Sequence, residues 1–375
     1  MSITVTTNLL RDLASFRSRI GCALSIYVNL EPSVTPTAPD VDAAFRARLN
    51  EAEKLAEGHS VDRECRVALK DDLERITEWW DDDFERDGVV RGLAVFASST
   101  DNLFLVVPLP GAVADATSLG EELLVSPLVG RVGEVDTLVA VVSREQGVVY
   151  RLRGGQLEEM LDESEEQPGQ HDQGGWSQAR YQRHIDHLVQ QHLKTVGEAL
   201  ERRARGFRQL QLVVIAPEEM RSNFTSALSQ DARDAIAGWA VAEAHASPTE
   251  LLEVIRPLLA EADARRAQEA LERYEEELGR GERATAGWQD TLDASADGRI
   301  ETLFVVEGAN RPLFQCPECR RGFTEDGTCP IDDLALVKKN DGVDIAIRHT
   351  LVNSGQVLEV AAGALGDDIG ALLRY

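Results

Sequence analysis

Three stretches of the chain differ in how apolar and polar positions alternate, and each predicts its own set of elements. In the first, CALSIYVNLEP is apolar at nearly every position and predicts a buried strand. Helical spacing follows over Val41–Glu57 and Val61–Trp80. VVRGLAVFAS and LFLVVPLP are two more apolar runs, and STDN between them reads as a turn, so they predict a strand pair. Residues 1–130 thus read as an α/β unit.

The second stretch covers residues 131–270. VDTLVAVVSREQGVVYRLRGGQLEEM predicts two or three consecutive strands. A loop follows over Asp162–Gly175, with Pro168, Gly169, Gly174 and Gly175 as breakers. A long helix is predicted over Ser177–Arg205, and QLQLVVIAP is the next strand. Strands that lead into helix, strand and helix predict a mixed sheet covered by helices. The third stretch, residues 271–375, begins with helix, turn and strand in TAGWQDTLDASADGRIETLFVVEG. A cysteine-bearing insert at 314–335 interrupts it, and SGQVLEVAAGALGDDIGALLRY closes it. The expected fold class is therefore α/β in three domains.

A length of 375 residues suits two or three domains. Hydrophobic residues at 43% and charged residues at 28% are ordinary for a soluble globular chain. No run of about 18 apolar residues is present, so no membrane partner is expected. The opening MSITVTTNLLRDLASF lacks a basic start and an apolar block, so a cytoplasmic protein without a signal peptide is expected. Cys22 and Cys65 are expected to be buried, reduced thiols.

The net charge of −26 opposes RNA binding unless positive charge is gathered locally. Acidic residues crowd into Asp71–Asp87, Glu158–Glu166 and Glu261–Glu277, which read as solvated faces. Positive charge gathers in GGWSQARYQRHIDHLVQQH. Gly174 and Gly175 permit positive φ and close backbone approach. Ser177 is placed as the N-cap of the helix that follows. Arg180, Arg183, His184, His187, Gln191 and Lys194 then share one helical face. Ile185, Leu188, Val189, Leu193, Val196 and Leu200 share the opposite face and would pack on the sheet. An ordinary amphipathic helix explains that periodicity but not the long loop ending in Gly-Gly. His184 and His187 lack a third partner nearby, so the histidines do not argue for a metal.

GGWSQARYQR resembles the GGQ loop and helix of the archaeal and eukaryotic class I peptide chain release factors. Gly174, Gly175, Ser177, Arg180 and Arg183 match that pattern without a gap, and Tyr181 stands at its phenylalanine. GWQDTLDASADGRIETLFVVE resembles the start of the family's third domain, and DDIGALLRY its last strand. The sequence departs from the family at the catalytic glutamine, where it has Trp176; Gln178 stands two residues on. A displaced glutamine is similar to that of bacterial relatives of the superfamily. The N-terminal stretch shows none of the motifs expected for stop-codon reading, which favours ribosome rescue or quality control.

The resemblance implies an RNase-H-like mixed sheet in the middle domain and a Pelota-like α/β/α fold in the third. It implies action at the peptidyl-transferase centre on peptidyl-tRNA, with ribosome, tRNA and rRNA as partners and a translational GTPase as a candidate. DNA is not an expected partner. Hydrolysis needs a positioned water and donors for the developing oxyanion. Gln178 offers an amide with donor and acceptor, and the glycines give backbone access. Trp176 either stacks on an unpaired base or anchors the loop on its own domain. The alternative is a non-catalytic factor that occupies the ribosomal A site in hibernation. A stand-alone metal-dependent nuclease lacks its carboxylate cluster.

The insert CPECRRGFTEDGTCPIDD has the form C-x2-C-x9-C-x2-D. Two such knuckles on a hairpin are the plan of a zinc ribbon, with Cys316, Cys319, Cys329 and Asp332 as ligands. All four positions would be filled, so the zinc would be structural. The alternative is a degenerate ribbon that folds empty. No organic cofactor is expected.

Overall fold

The computed structural model describes residues 5–57, 62–84, 90–130, 136–153, 155–164, 178–207, 210–243 and 245–375, of which 136 and 178–184 by backbone alone. The contacts divide the chain into two compact units, Met1–Gly133 with Glu269–Tyr375, and Glu134–Gln268.

The chain begins with α1 (Thr7–Ser15), whose N-cap Thr6 accepts from the Leu9 N–H through its hydroxyl. The strand predicted in CALSIYVNLEP is β1 (Ala23–Asn29). The two predicted helices are α2 (Ala38–Ala56) and α3 (Arg63–Asp82). α2 starts earlier than its apolar periodicity suggests because Thr37 and Asp40 form a capping box. The strand pair is β2 (Gly92–Ser98) and β3 (Leu103–Leu109); Asn102, the last residue of STDN, takes φ 55°. With β4 (Ala116–Gly120) they form an antiparallel sheet in the order β3-β2-β1-β4.

β1 is apolar throughout because both sheet faces are covered. Leu24, Ile26 and Val28 pack with Phe45, Leu69 and Ile76 of the two helices. On that side Phe45 stacks on Trp80 with ring centroids 3.7 Å apart. Ala23 and Tyr27 face the other way, into a cluster that the C-terminal segment completes. Cys22 and Cys65 are buried as expected, but they are joined as a disulfide rather than free. The start of β1 and the first turn of α3 bring their Cα atoms to 5.3 Å, within bridging distance.

The second unit carries β5 (Asp136–Val142), β6 (Gly147–Arg153) and β7 (Gln156–Asp162). α4 (Gln178–Ala204), β8 (Leu210–Ile215), α5 (Glu218–Ala227), α6 (Gln230–Asp234) and β9 (Ile236–Ala240) follow. The sheet order is β7-β6-β5-β8-β9. β5, β6 and β7 pair antiparallel, whereas β8 and β9 join β5 in parallel. This is the RNase-H-like mixed sheet. Alternation assigns Leu138, Ala140, Leu212 and Val214 to the face under α4 and α5. Val139, Val141, Val213 and Ile215 face Leu251 and Ile255 of α7 (Pro248–Arg280).

The boundary between the units falls within α7. Its last turns place Tyr274 on the C-terminal sheet, in tilted ring contact with Phe304. That sheet comprises β10 (Ala284–Ala286), β11 (Ile300–Val306) after α8 (Trp288–Ala296), and two later strands. The insert forms its own small sheet of β12 (Leu313–Gln315), β13 (Gly322–Phe323) and β14 (Val337–Lys339). α9 (Val343–Val352), β15 (Gln356–Val360) and β16 (Ile369–Leu373) complete the chain. The strand order is β10-β16-β11-β15, with α8 and α9 on one face and the end of α7 on the other. The layering is α/β/α.

The outer segments share one hydrophobic cluster, in which Tyr27, Phe96 and Val107 lie with Leu292, Ile345 and Leu351. Buried charge joins them as well. The Asp344 carboxylate accepts from the Val125 N–H at 2.8 Å and the Ser126 N–H at 2.7 Å. Arg348 donates to the Leu13, Ala14 and Leu123 carbonyls and pairs with Asp344 at 3.2 Å. It thereby adds a donor to carbonyls at the C-terminal end of α1.

Candidate functional site

The residues of the predicted tip, Gly174, Gly175, Trp176 and Ser177, lie outside the described residues. Gln178, Arg180, Arg183 and His184 have described backbone in the first turns of α4, and their side chains lie outside the described set. The structure thus gives the support of this site. α4 is 27 residues long and starts at Gln178.

Val189, Leu193, Val196 and Leu200 recur at helical spacing and are buried in the core of the second unit, the face that periodicity assigns to packing. Ile185 and Leu188 are half-buried beside them. His187 and Lys194 lie on the exposed face. Lys194 Nζ stands 3.8 Å from Glu198, both side chains being largely exposed, so the pair holds Lys194 only weakly. His192 is the exception among the histidines. It is 1% exposed, and its Nε2 lies 3.3 Å from the Gln146 carbonyl oxygen.

Gly147 is a supporting residue that the sequence reading passed over. A Cβ there would overlap Val196 and crowd His192. The missing side chain lets β6 lie against α4. A glycine at the first position of a strand, before two β-branched valines, was the available signal.

A second constellation lies in the insert. β12 pairs antiparallel with β13 and with β14. Cys316 and Cys319 sit on one turn, Cys329 and Asp332 on another. The two turns repeat the same backbone: the Arg320 N–H donates to the Cys316 carbonyl at 3.1 Å, and the Asp333 N–H to the Cys329 carbonyl at 3.0 Å. The residue after each second candidate ligand is left-handed, Arg320 at φ 64° and Asp333 at φ 53°. The four donor atoms lie within 4.8 Å of one another. Cys319 Sγ is 3.6 Å from Cys329 Sγ, and Cys316 Sγ is 3.1 Å from an Asp332 carboxylate oxygen.

A tetrahedral ion with Zn–S bonds of about 2.3 Å would set sulfur atoms about 3.8 Å apart, so the residues fit such an ion. Burial pushes the Cys319 thiol up to about 12. Hydrogen bonds from the Cys319 and Cys316 thiols hold the Asp332 carboxyl below its usual range. Arg320 fastens this turn to the rest of its unit through Glu121 at 3.0 Å and Glu122 at 2.6 Å.

Residues 125–259 match the family described as bacterial archaeo-eukaryotic release factor family 10. That span contains the Gly-Gly sequence and all of α4. The chain is similar to peptide chain release factor subunit 1 of Methanopyrus kandleri, 24% identical over 189 residues, or 48% of this chain and 46% of that protein. It is also similar to the Archaeoglobus fulgidus protein of that name, 23% identical over 265 residues, or 63% of this chain and 64% of that one. The chain therefore spans about half the length of the first relative and just under two thirds of the second. Among solved structures, an archaeal translation termination factor, aRF1, aligns over 99% of both chains at 16% identity with a TM-score of 0.29. Such a score does not equate the two overall arrangements.

Proposed function

We propose that the chain, whose residues 125–259 match bacterial archaeo-eukaryotic release factor family 10, is a release-factor-like protein that acts in translation on the ribosome. In this reading it is a cytoplasmic protein that enters the A site tip-first, with the Gly-Gly sequence at the peptidyl-transferase centre. The observation that carries the reading is the family match over the tip sequence and α4 together, with α4 buttressed along its buried face. A helix packed on a sheet holds its first turn in place far better than a loop alone, and positioning is most of what ester hydrolysis requires.

The substrate would be peptidyl-tRNA. Gln178 would orient water on the ester carbonyl, and the backbone N–H groups of Gly174 and Gly175 would approach the developing oxyanion. Trp176, Ser177, Arg180, Arg183, His184, His187 and Lys194 would contact tRNA and rRNA. The products are a freed nascent chain or a tRNA shortened at its 3′ end. A translational GTPase would be a partner in delivery.

Trp176 in the place of the family glutamine favours a second reading, in which the protein occupies the A site without chemistry. Labelled peptide and shortened tRNA released from stalled ribosomal complexes distinguish the two. Catalysis predicts that Gln178→Ala loses rate by about 10²–10³ while binding stays near wild type. If the wild-type protein binds these complexes and releases neither product, the occupancy reading replaces the catalytic one.

We further propose that Cys316, Cys319, Cys329 and Asp332 hold a structural zinc. The metal would tie the two turns of the insert together. Four protein ligands leave no open position, so the ion would take no part in the chemistry at the tip.

A further inference from the structure

The end of α4 remote from the tip carries a cluster of arginines that the proposed tip chemistry does not use. Arg202 and Arg203 lie in its last turn, and Arg205 follows it. Arg153 ends β6. All four are exposed. None of their side chains has an ion pair or hydrogen bond among the described residues, in a chain of net charge −26. Some arginines elsewhere are engaged by acids, as Arg46 is by Asp42 and Asp81, Arg280 by Glu276 and Glu277, and Arg321 by Asp297. Exposed Arg63, Arg144 and Arg265 have no ion pair among the described residues but are not grouped with one another.

The fold brings the ends of β6 and α4 to one side of the sheet. β6 runs alongside α4, its Gly147 against Val196 and its Arg151 stacked over Phe207 at 4.9 Å. The ends of strand and helix therefore meet. Of the acids close by, Glu198 faces Lys194 and the Glu201 carboxylate accepts from the Ser229 N–H at 2.7 Å, while exposed Glu158 stands opposite Arg151 and diagonal to Arg153. Across the sheet Arg153 faces Gln156 rather than an acid. Stabilisation of the helix C-terminus by cations accounts for Arg202 and Arg203. It does not account for Arg153, which is on a strand.

We infer that Arg153, Arg202, Arg203 and Arg205 form a second RNA-binding surface, which grips backbone phosphates away from the tip. The inference rests on the ribosomal reading and adds a contact to it. Guanidinium groups without protein partners suit phosphate oxygens, and several together release several counterions. Gln178 and Arg203 are 25 residues apart on α4, about 38 Å at 1.5 Å per residue. That is several times the screening length of about 8 Å at physiological salt, so the two surfaces contribute independently.

The test is binding of the full chain to purified ribosomes across a salt series. Each phosphate contact contributes about 0.7–0.9 to the slope of log K against log salt. The Arg202→Ala, Arg203→Ala, Arg205→Ala triple variant should lower the slope by about 2 and weaken binding by about tenfold or more near 0.1 M salt. Adding Arg153→Ala should lower both further, and the triple Arg→Lys variant should keep most of the affinity. All these side chains are exposed, so circular dichroism should show unchanged folding. Wild-type binding that the triple variant reproduces in affinity and slope overturns the inference and leaves the ribosomal reading standing. A variant that keeps ribosome binding but loses an acidic protein partner overturns it in favour of a protein surface. A wild-type protein that does not bind ribosomes overturns both.

Discussion

Asp72 of α3 is 1% exposed, and its carboxylate oxygens have no well-formed hydrogen bond. Burial raises its pKa to about 6, and the Ser99 N–H and hydroxyl only soften the effect. The folded state therefore holds this proton more tightly than the unfolded chain, whose value is 3.8. Its contribution to stability is full below the unfolded value and is lost as pH rises through about 6. Asp72→Asn should be more stable than wild type at pH 7, by roughly 1–2 kcal/mol, and should match it near pH 4. Thermal unfolding at the two pH values measures this; equal melting temperatures at pH 7 would refute it. Gly147 makes a separate residue-scale case. Gly147→Ala would force β6 from Val196 and His192. A loss of about 1–3 kcal/mol is expected, read from the denaturant midpoint. A midpoint like that of wild type would show that the strand can shift freely.

At the scale of elements, the insert and α4 differ in what holds them. α4 is held by a continuous apolar face against β5, β6 and β8. The insert contributes Leu313 to the common core, but β13 is two residues long and β14 three. Ile331, Leu334 and Val337 are exposed. So small a sheet buries little on its own, which is why a metal would matter there. One zinc per chain is expected by elemental analysis of freshly purified protein. Chelation or Cys316→Ser should raise hydrogen exchange within 313–339 while β5, β6, β8 and α4 keep their protection. Zinc-free protein with a protected insert would establish the empty ribbon instead.

At the scale of the whole molecule, the first and last segments are held in one unit by a shared core and by Arg348. Arg348→Ala would leave Asp344 buried without its cation and remove the guanidinium donor from the Ala14 and Leu123 carbonyls. A loss of about 3–5 kcal/mol is expected in the unfolding of that unit. Arg348→Lys should recover only part, because an ammonium cannot span the guanidinium's set of acceptors. Little change in either variant would show that the apolar cluster alone joins the segments. Much of this protein was legible in its sequence. Helices and strands follow from local periodicity, as in α2, β1 and α4. The four candidate ligands of the insert follow from spacing within 17 residues, Cys316 to Asp332. The Gly-Gly sequence was likewise visible as a motif. The rest depends on pairings between distant residues. An unbroken apolar β1 says that both faces are covered, but not that α8 and α9 help cover one of them. Cys22 and Cys65, 43 residues apart, read as lone thiols until the fold brings β1 and α3 together. The ends of β6 and α4, with Arg153 and Arg205, come to one side of the sheet only because Gly147 lets β6 lie along α4. Periodicity records which side of an element is buried, because that depends on the element alone; what buries it depends on complementary surfaces elsewhere in the chain, and only the tertiary structure selects among them.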